Sequence, residues 1–316
     1  MDVSVIIVNY NTSEHLSNCL DSIIKLTDGV EYEIIVVDNN SPQRDIENFP
    51  SRYPSVKFNF RNVNDGFGAG CNFGTNVSVG KYLAFINPDI VFKYDSLSAF
   101  YGYLENNLSV GLCSGILVNK LEEPIYSFNN FPNLYWEVTE ALFANGEVKI
   151  KRLLSGKNTD INNGTPFEVD WIIGACIFMR KDLFKKLEGF DEKMFLYCED
   201  VDLQLRLRHC GFKVMCLPNV RINHFTRSSV RTIEGDETYN LNMHRSKIIY
   251  MYKHFNFINR NIIRSSYLLG VLIRFLVLPF RKKFRGYKFK KFKQLLIILK
   301  IYLLPNFYQR YNYTPK

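Results

Sequence analysis

Residues 81–92 read KYLAFINPDIVF. Tyr82 through Ile86 form a continuous apolar run, the pattern of a central strand buried on both faces of a sheet. Pro88 has no amide hydrogen for a sheet ladder and holds Asn87 extended, so the chain must leave the sheet where Asp89 appears. In an open α/β sheet, ligands bind beyond the carboxyl ends of the strands. A carboxylate there can ligate a hard divalent cation, and the cation can carry a diphosphate. An Asp beside Pro is also common in turns and can cap a following helix. The stretch alone leaves both roles open for Asp89.

Upstream, VSVIIVN at 3–9 is a β-branched run followed at once by the polar cluster Asn9, Tyr10, Asn11, Thr12. Thr12 or Ser13 can cap a helix, and Leu16, Leu20, Ile23 and Ile24 repeat at helical spacing. YEIIVV at 32–37 gives a second strand, ending on Asp38, Asn39, Asn40 and Ser41. This βαβ opening is what a doubly wound parallel sheet requires. Asp38 can accept the imide N–H of a pyrimidine base, or simply turn the chain in DNNSP. NDGFGAGCNFG at 64–74 holds four glycines but puts Phe73 where the dinucleotide fingerprint needs its third glycine. Its glycines suit a helix start packed against a ligand or a neighbouring backbone.

Downstream, a helix over 96–105 and a strand over 110–118 precede the irregular stretch 119–166, rich in Asn, Pro and Gly, with one helix near Trp136 to Phe143. Long insertions of this kind are often lids or acceptor-binding loops. In 199–209 two rules conflict, because Val201, Leu203, Leu205 and Leu207 alternate as in a strand. Glu199, Asp200 and Asp202 lead, however, and Arg206, Arg208 and His209 trail before Gly211, which complements a helix dipole and predicts a helix with Asp202 and Arg206 paired. Asp200 at that N-terminus can stay ionised as a general base, or can merely complement the dipole. His224 follows a short strand, with Arg227, Ser228 and Ser229 beyond it.

In this order, SVIIVNYN, VVDNNS, NDGFGAGCNFG, INPDI, WIIGACIFMRKDLF, GFDEKMFLYCEDVDL and the late His224 resemble glycosyltransferase family 2, and within it the rhamnosyltransferase-like enzymes of bacterial surface-polysaccharide assembly. The match covers about residues 3–229. It implies a glycosyltransferase A fold, an α/β architecture with a Rossmann-like, mostly parallel sheet flanked by helices, and an inverting transfer of a sugar from a nucleotide-diphosphate donor. Rhamnose from dTDP-rhamnose is the donor favoured by the resemblance, and a UDP-hexose the alternative. Asn9, Tyr10, Asn11 and Asp38 match the nucleoside-binding segment, and Gly66 and Asn72 match the donor-facing glycine loop. Asn87 stands where the metal motif usually begins with an acid. Asp89 and His224 match the ligands of a divalent metal, Mn2+ or Mg2+. Asp200 matches the catalytic base, and Trp171, Gly174 and Glu199 the acceptor side.

The net charge of +9 is unevenly spread, because the last acid is Glu237 and 17 of the 40 Lys and Arg follow it. The chain therefore reads as a catalytic part over 1–235, with 119–166 facing the acceptor or acting as a lid, and a basic, apolar helical tail over 236–316. The apolar stretches 267–280 and 295–304 are each too short to span a bilayer, so the tail is expected to dock peripherally on an anionic membrane surface. Packing on the catalytic part or a homodimer contact are the other uses of such a tail. The acidic first part argues against a nucleic-acid partner. Seven scattered cysteines without a CxxC pair read as reduced thiols, and an N-terminus entering a strand at once is neither a signal nor a transit sequence. The expected location is the cytoplasmic side of the cell membrane, with a lipid-linked or glycan acceptor. A dinucleotide-dependent oxidoreductase would need the missing glycine fingerprint, and a non-catalytic membrane scaffold would need none of Asp89, Asp200 and His224.

Overall fold

Alternate residues of the first strand, β1 (Val3–Asn9), enter two different cores: Val3, Val5 and Ile7 one, Ile6 and Val8 the other. A strand covered on both faces must be apolar at successive positions, hence its unbroken run. The structure is a computed structural model that describes residues 1–143, 161–225, 235–280 and 288–304. Strands β2 (Tyr32–Asp38), β3 (Val56–Phe60) and β4 (Tyr82–Ile86) lie parallel in the order β3-β2-β1-β4. Helices α1 (Ser13–Leu26), α2 (Phe49–Arg52), α3 (Phe67–Asn76) and α4 (Ser96–Asn106) accompany them. The cap of α4 is Asp95, whose Oδ1 accepts the Ser98 N–H at 3.0 Å, so Asp89 is free of that duty.

Beyond β4 the sheet becomes mixed. The elements that follow are β5 (Ile90–Val91), β6 (Val110–Val118), β7 (Phe128–Asn129), helix α5 (Leu134–Phe143), β8 (Phe167–Val169), β9 (Trp171–Ile172), β10 (Cys176–Arg180), α6 (Lys181–Lys186), α7 (Glu199–His209) and β11 (Lys213–His224), of which β7 and β9 pair in a separate two-stranded sheet. Strand β10 enters antiparallel between β4 and β6, so its first residues lie beside the carboxyl end of β4, with Cys176 opposite Ile86. Strand β11 runs parallel to β6, and β5 and β8 pair with it antiparallel. The architecture is the glycosyltransferase A fold, with the parallel half carrying the expected βαβ opening. Residues 199–209 form the expected helix, and Arg206 Nη2 lies 2.7 Å from Asp202 Oδ2.

The tail forms α8 (Gly235–His254), α9 (Phe257–Val277) and α10 (Lys288–Leu303). With α5 they enclose a third core that includes Ala141, Ile248, Ile263, Tyr267 and Tyr302, joined by Met194 and Val201 from the preceding part. The rings of Tyr267 and Tyr302 stack at 4.4 Å. Buried Lys247 bridges Glu137 and Glu140 of α5 at 3.1 and 3.0 Å. The tail therefore packs on the rest of the chain through one side.

The first apolar stretch of the tail is longer than its composition suggests. It belongs to a continuous helix over Phe257–Phe280, 24 residues with a mean hydropathy of 1.7 in its most apolar window, which by length and composition is enough to cross a membrane. This corrects the short span expected at 267–280; the stretch at 295–304 lies in a helix of 16 residues, Lys288–Leu303. Asn256 caps the helix by accepting the Asn259 N–H, and Asn259, Arg260, Asn261 and Arg264 disguise its first turns as a polar segment.

Candidate active site

The carboxyl ends of β1, β2 and β4, the start of β10 and the start of α7 meet at one end of the sheet. Their contacts form a chain that can be followed residue by residue. Asn39 Nδ2 donates to Gly66 O at 2.9 Å, and the next amide, Phe67 N, donates to Phe195 O at 3.0 Å. From Phe195 the backbone turns through Tyr197 and Cys198, both left-handed at φ 72° and 66°, into Glu199 and Asp200. Asp200 Oδ2 accepts the Gly174 N–H at 2.8 Å, and Ala175 O accepts the Asn87 N–H at 2.9 Å. Asp89 and His224 complete the series.

Asp89 and His224 are brought together by the shortest strand of the sheet. Strand β5 begins one residue after Asp89 and pairs with the end of β11, placing His224 opposite Ile90. Phe225 N donates to Asp89 O at 3.0 Å, and His224 Nε2 lies 3.4 Å from Asp89 Oδ1. Asp89 is buried, and His224 Nδ1 is buried with no hydrogen-bond partner among the described residues. A carboxylate oxygen beside an imidazole nitrogen suits a Mn2+-type cation. Among the described residues, however, no group of three or more His, Cys, Asp or Glu is arranged to hold an ion. Two protein ligands leave most of a coordination shell to other oxygen donors.

Asp200 is held by backbone donors on both oxygens: Gly174 N on Oδ2, and Val201 N on Oδ1 at 2.9 Å. Burial raises its carboxyl above the ordinary range, and the two N–H donors pull it part of the way back. Burial raises Glu199 much further, with the Asp200 charge adding to it. Burial thus pushes both carboxyls of the adjacent pair toward the protonated form, Glu199 more strongly than Asp200. Glu199 Oε2 is buried and has no hydrogen-bond partner among the described residues. Gly174 approaches so closely that a Cβ there would stand 3.2 Å from Asp200.

At the other end of the chain of contacts, Asp38 Oδ1 accepts from Asn9 Nδ2 at 2.7 Å and Ser41 Oγ at 2.6 Å, while Oδ2 accepts Ser41 N at 2.9 Å. Asp38 thus turns the DNNS segment and keeps acceptor capacity on Oδ2. Asn9, assigned by resemblance to the nucleoside, is wholly buried; it donates to Asp38 and accepts from Thr12 Oγ1 at 2.7 Å, so it positions Asp38 instead of presenting an edge. Tyr10 and Asn11 are half-buried, and Asn11 takes a left-handed φ of 53°.

Asn72, assigned to the donor loop, is likewise engaged elsewhere. Its amide exchanges hydrogen bonds with the Phe190 backbone, donating to O and accepting from N at 2.9 Å each, and reaches Glu192 Oε1. It ties α3 to the 190 segment. Gly66 has φ +98°, and a Cβ there would lie 2.0 Å from Phe195 O, so only glycine fits. Trp171 is half-exposed, with its indole N–H on Asn130 O at 3.0 Å. Arg227, Ser228 and Ser229 lie outside the described residues.

Asn39, Phe195, Tyr197 and Cys198 belong to the site without having been singled out in the sequence. The doubled Asn of DNNS is a signal for Asn39. Phe195 acts through its carbonyl, and neither Tyr nor Cys advertises a left-handed backbone.

The family model for "Glycosyl transferase family 2" matches residues 4–188. The chain is 26% identical over 238 residues to Rhamnosyltransferase WbbL of Escherichia coli K12, covering 73% of this chain and 86% of that protein. It is 25% identical over 235 residues to the N-acetylglucosaminyl-diphospho-decaprenol L-rhamnosyltransferase of Mycobacterium tuberculosis, covering 70% of this chain and 75% of that one. Among solved structures, the mannosyltransferase PcManGT of Pyrobaculum calidifontis, in complex with GDP-Man and Mn2+, superposes with a TM-score of 0.56 at 12% identity over 96% of this chain and 87% of that chain. Motif order, site geometry and the family match agree that the chain belongs to glycosyltransferase family 2, with the rhamnosyltransferase-like enzymes as relatives.

Proposed function

We propose that the protein transfers a sugar with inversion from a nucleotide-diphosphate donor to a hydroxyl of a lipid-linked or polysaccharide acceptor in bacterial surface-glycan synthesis, at the cytoplasmic face of the membrane. The observation that carries the reading is the linkage of Asp200 to Asn87 through consecutive residues, Gly174 and Ala175. It holds a carboxylate base beside the loop that bears Asp89, as a single displacement requires.

In this reaction Asp200 takes the proton of the acceptor hydroxyl, and the hydroxyl oxygen attacks the anomeric carbon from the side opposite the diphosphate. The bond from that carbon to the diphosphate oxygen breaks with its electron pair, so one displacement inverts the configuration. Backbone N–H groups on both Asp200 oxygens fix the carboxylate before substrate arrives. Asp38, turned by Ser41 and braced by Asn9, offers its remaining acceptor site to the imide edge of the base. Asp89 and His224 would hold a divalent cation, which when bound offsets charge building on the leaving diphosphate. Because these two supply so little of a coordination shell, the metal is expected to bind strongly only together with nucleotide.

The relatives' names favour a rhamnosyl donor, and hence dTDP over UDP. Calorimetric titration with dTDP and UDP, each with and without Mn2+, tests the donor and metal together. Metal-dependent binding of dTDP is expected. A folded protein that binds neither nucleotide would sink the proposal.

A further inference from the structure

Helix α9 does not have the surface of a helix facing water. Ile263, Tyr267, Gly270 and Val271 form its buried stripe against the protein. On the other side Ile258, Ile262, Leu269, Leu272, Leu276 and Phe280 recur at helical intervals, 42–84% exposed together with their neighbour Ile273. A water-facing helix carries charge there. The charged residues of α9 are three arginines, and all turn toward the protein. Arg260 stacks over Tyr252 at 4.2 Å, Arg264 donates to Tyr302 O at 3.0 Å, and Arg274 donates to Ala141 O at 2.7 Å. The exposed face is left without charge, and apolar apart from Ser265. Beside it, α10 exposes Phe289 and Phe292 among Lys290, Lys293 and Lys300, and no acid follows Glu237 in the chain.

We propose that α9 and α10 together form a surface that lies in the plane of a bilayer containing anionic lipid. The apolar face of α9 enters the boundary between headgroups and acyl chains, and the α10 lysines meet the negative headgroups. Helix α9 is long and apolar enough to span, but its packing opposes that. Gly270 brings its backbone so close to α5 that a Cβ would lie 2.1 Å from Ala141 O, and the buried stripe is covered by α5 and α10. A spanning helix would have to abandon these contacts, whereas a helix lying flat keeps them on one side and its apolar face in lipid on the other. The chemistry of the patch, apolar with flanking cations and no acid, fits an anionic lipid surface. A second copy of the same basic surface would bring like charges together. The inference stands on the tail alone and needs no assumption about donor or acceptor.

Sedimentation of the full chain with vesicles tests it, using phosphatidylcholine alone and phosphatidylcholine mixed with phosphatidylglycerol. The expected result is co-sedimentation with the mixed vesicles, weakened by salt, and about tenfold weaker for the Leu272→Glu, Leu276→Glu double variant. Lys290→Glu with Lys293→Glu should reduce binding to the mixed vesicles only. Circular dichroism and nucleotide binding check that the variants fold. If the double variant misfolds, Leu276→Asn, at the most exposed leucine of α9, should still weaken binding about threefold. Wild-type protein left in the supernatant with both vesicle types would overturn the proposal, as would variants that bind equally well. A lipid-free dimer that becomes monomeric in the double variant, without vesicle binding by wild type, would assign the face to a second copy instead. Nucleotide binding is read separately, so failure here is distinct from failure of the transferase reading.

Discussion

His254 Nε2 stands 2.7 Å from Asp202 Oδ1, and this contact fastens the first tail helix, α8, to the helix that carries Asp200 two residues earlier. Asp202 is wholly buried and also accepts from Arg206 of its own helix and Lys253 of α8, while Lys253 reaches Asp191 at 3.0 Å. Burial alone would raise the Asp202 carboxyl, but His254, Arg206 and Lys253 outweigh it and hold the group at about 2. The tail is thus tied electrostatically to the helix of the candidate base.

Replacing Asp202 by Ala removes the buried anion that Arg206, Lys253 and His254 surround, and a loss of about 3 kcal/mol is expected. Urea unfolding measures it. The sign with pH follows from the depressed value: the stabilisation is complete above the unfolded carboxylate range of about 3.9 and is lost as pH falls toward about 2. Wild type should lose urea resistance over that window more steeply than Asp202→Asn; equal slopes would remove Asp202 from the account.

Asp200→Asn should lower turnover by about 10²- to 10⁴-fold with donor-nucleotide affinity little changed. Transfer assays paired with calorimetry separate the two. Since the base must be ionised and burial raises it, wild-type kcat/KM should fall on acidification before reaching the ordinary aspartate value of 3.8. Unchanged turnover in Asp200→Asn would take this residue out of the mechanism.

Burial and the Asp200 charge push Glu199 toward its neutral form, which Glu199→Gln mimics. The variant should keep its fold and retain turnover within about tenfold of wild type, far above Asp200→Asn. A collapse equal to that of Asp200→Asn would show that Glu199 acts in its ionised form.

Gly66→Ala sets a Cβ 2.0 Å from Phe195 O on backbone at φ +98°. The expected cost is at least about 1–3 kcal/mol, with displacement of the segment that leads into Glu199 and Asp200. Thermal unfolding and nucleotide binding should both register it. Wild-type values in both would mean the loop relaxes without disturbing the site.

Much of this was legible because local pattern decides local structure. Strands β1, β2 and β4 are continuous β-branched or apolar runs, and they fold close to where those runs begin and end. Helix α7 could be read despite its strand-like leucine alternation, because acids at its start and bases at its end complement a dipole that a strand lacks. The start of α9 escaped because Asn and Arg in its first turns look like a loop until their side chains are seen folding back on the protein.

The candidate site divides in the same way. Asp38, Asp89 and Asp200 each end or begin an element, so spacing singled them out as candidates, while their roles were implied by the family resemblance. Whether an Asn faces a ligand or a neighbouring backbone is a long-range matter: Asn72 meets Phe190, 118 residues away, and Asn9 meets Asp38, 29 residues away. The pairing of His224 with Asp89 needs a two-residue strand, β5, too short to leave a periodic trace. Sequence by itself determined the α/β class, the family's motifs and the basic tail, because hydrophobic period, turn residues and charge are properties of neighbours along the chain. Only the tertiary structure decided which carboxylates burial pushes toward their neutral form, which amides are spent on the backbone, and that the tail is latched to α7 through Asp202, because burial and hydrogen bonding depend on partners brought together by the order of strands in the sheet.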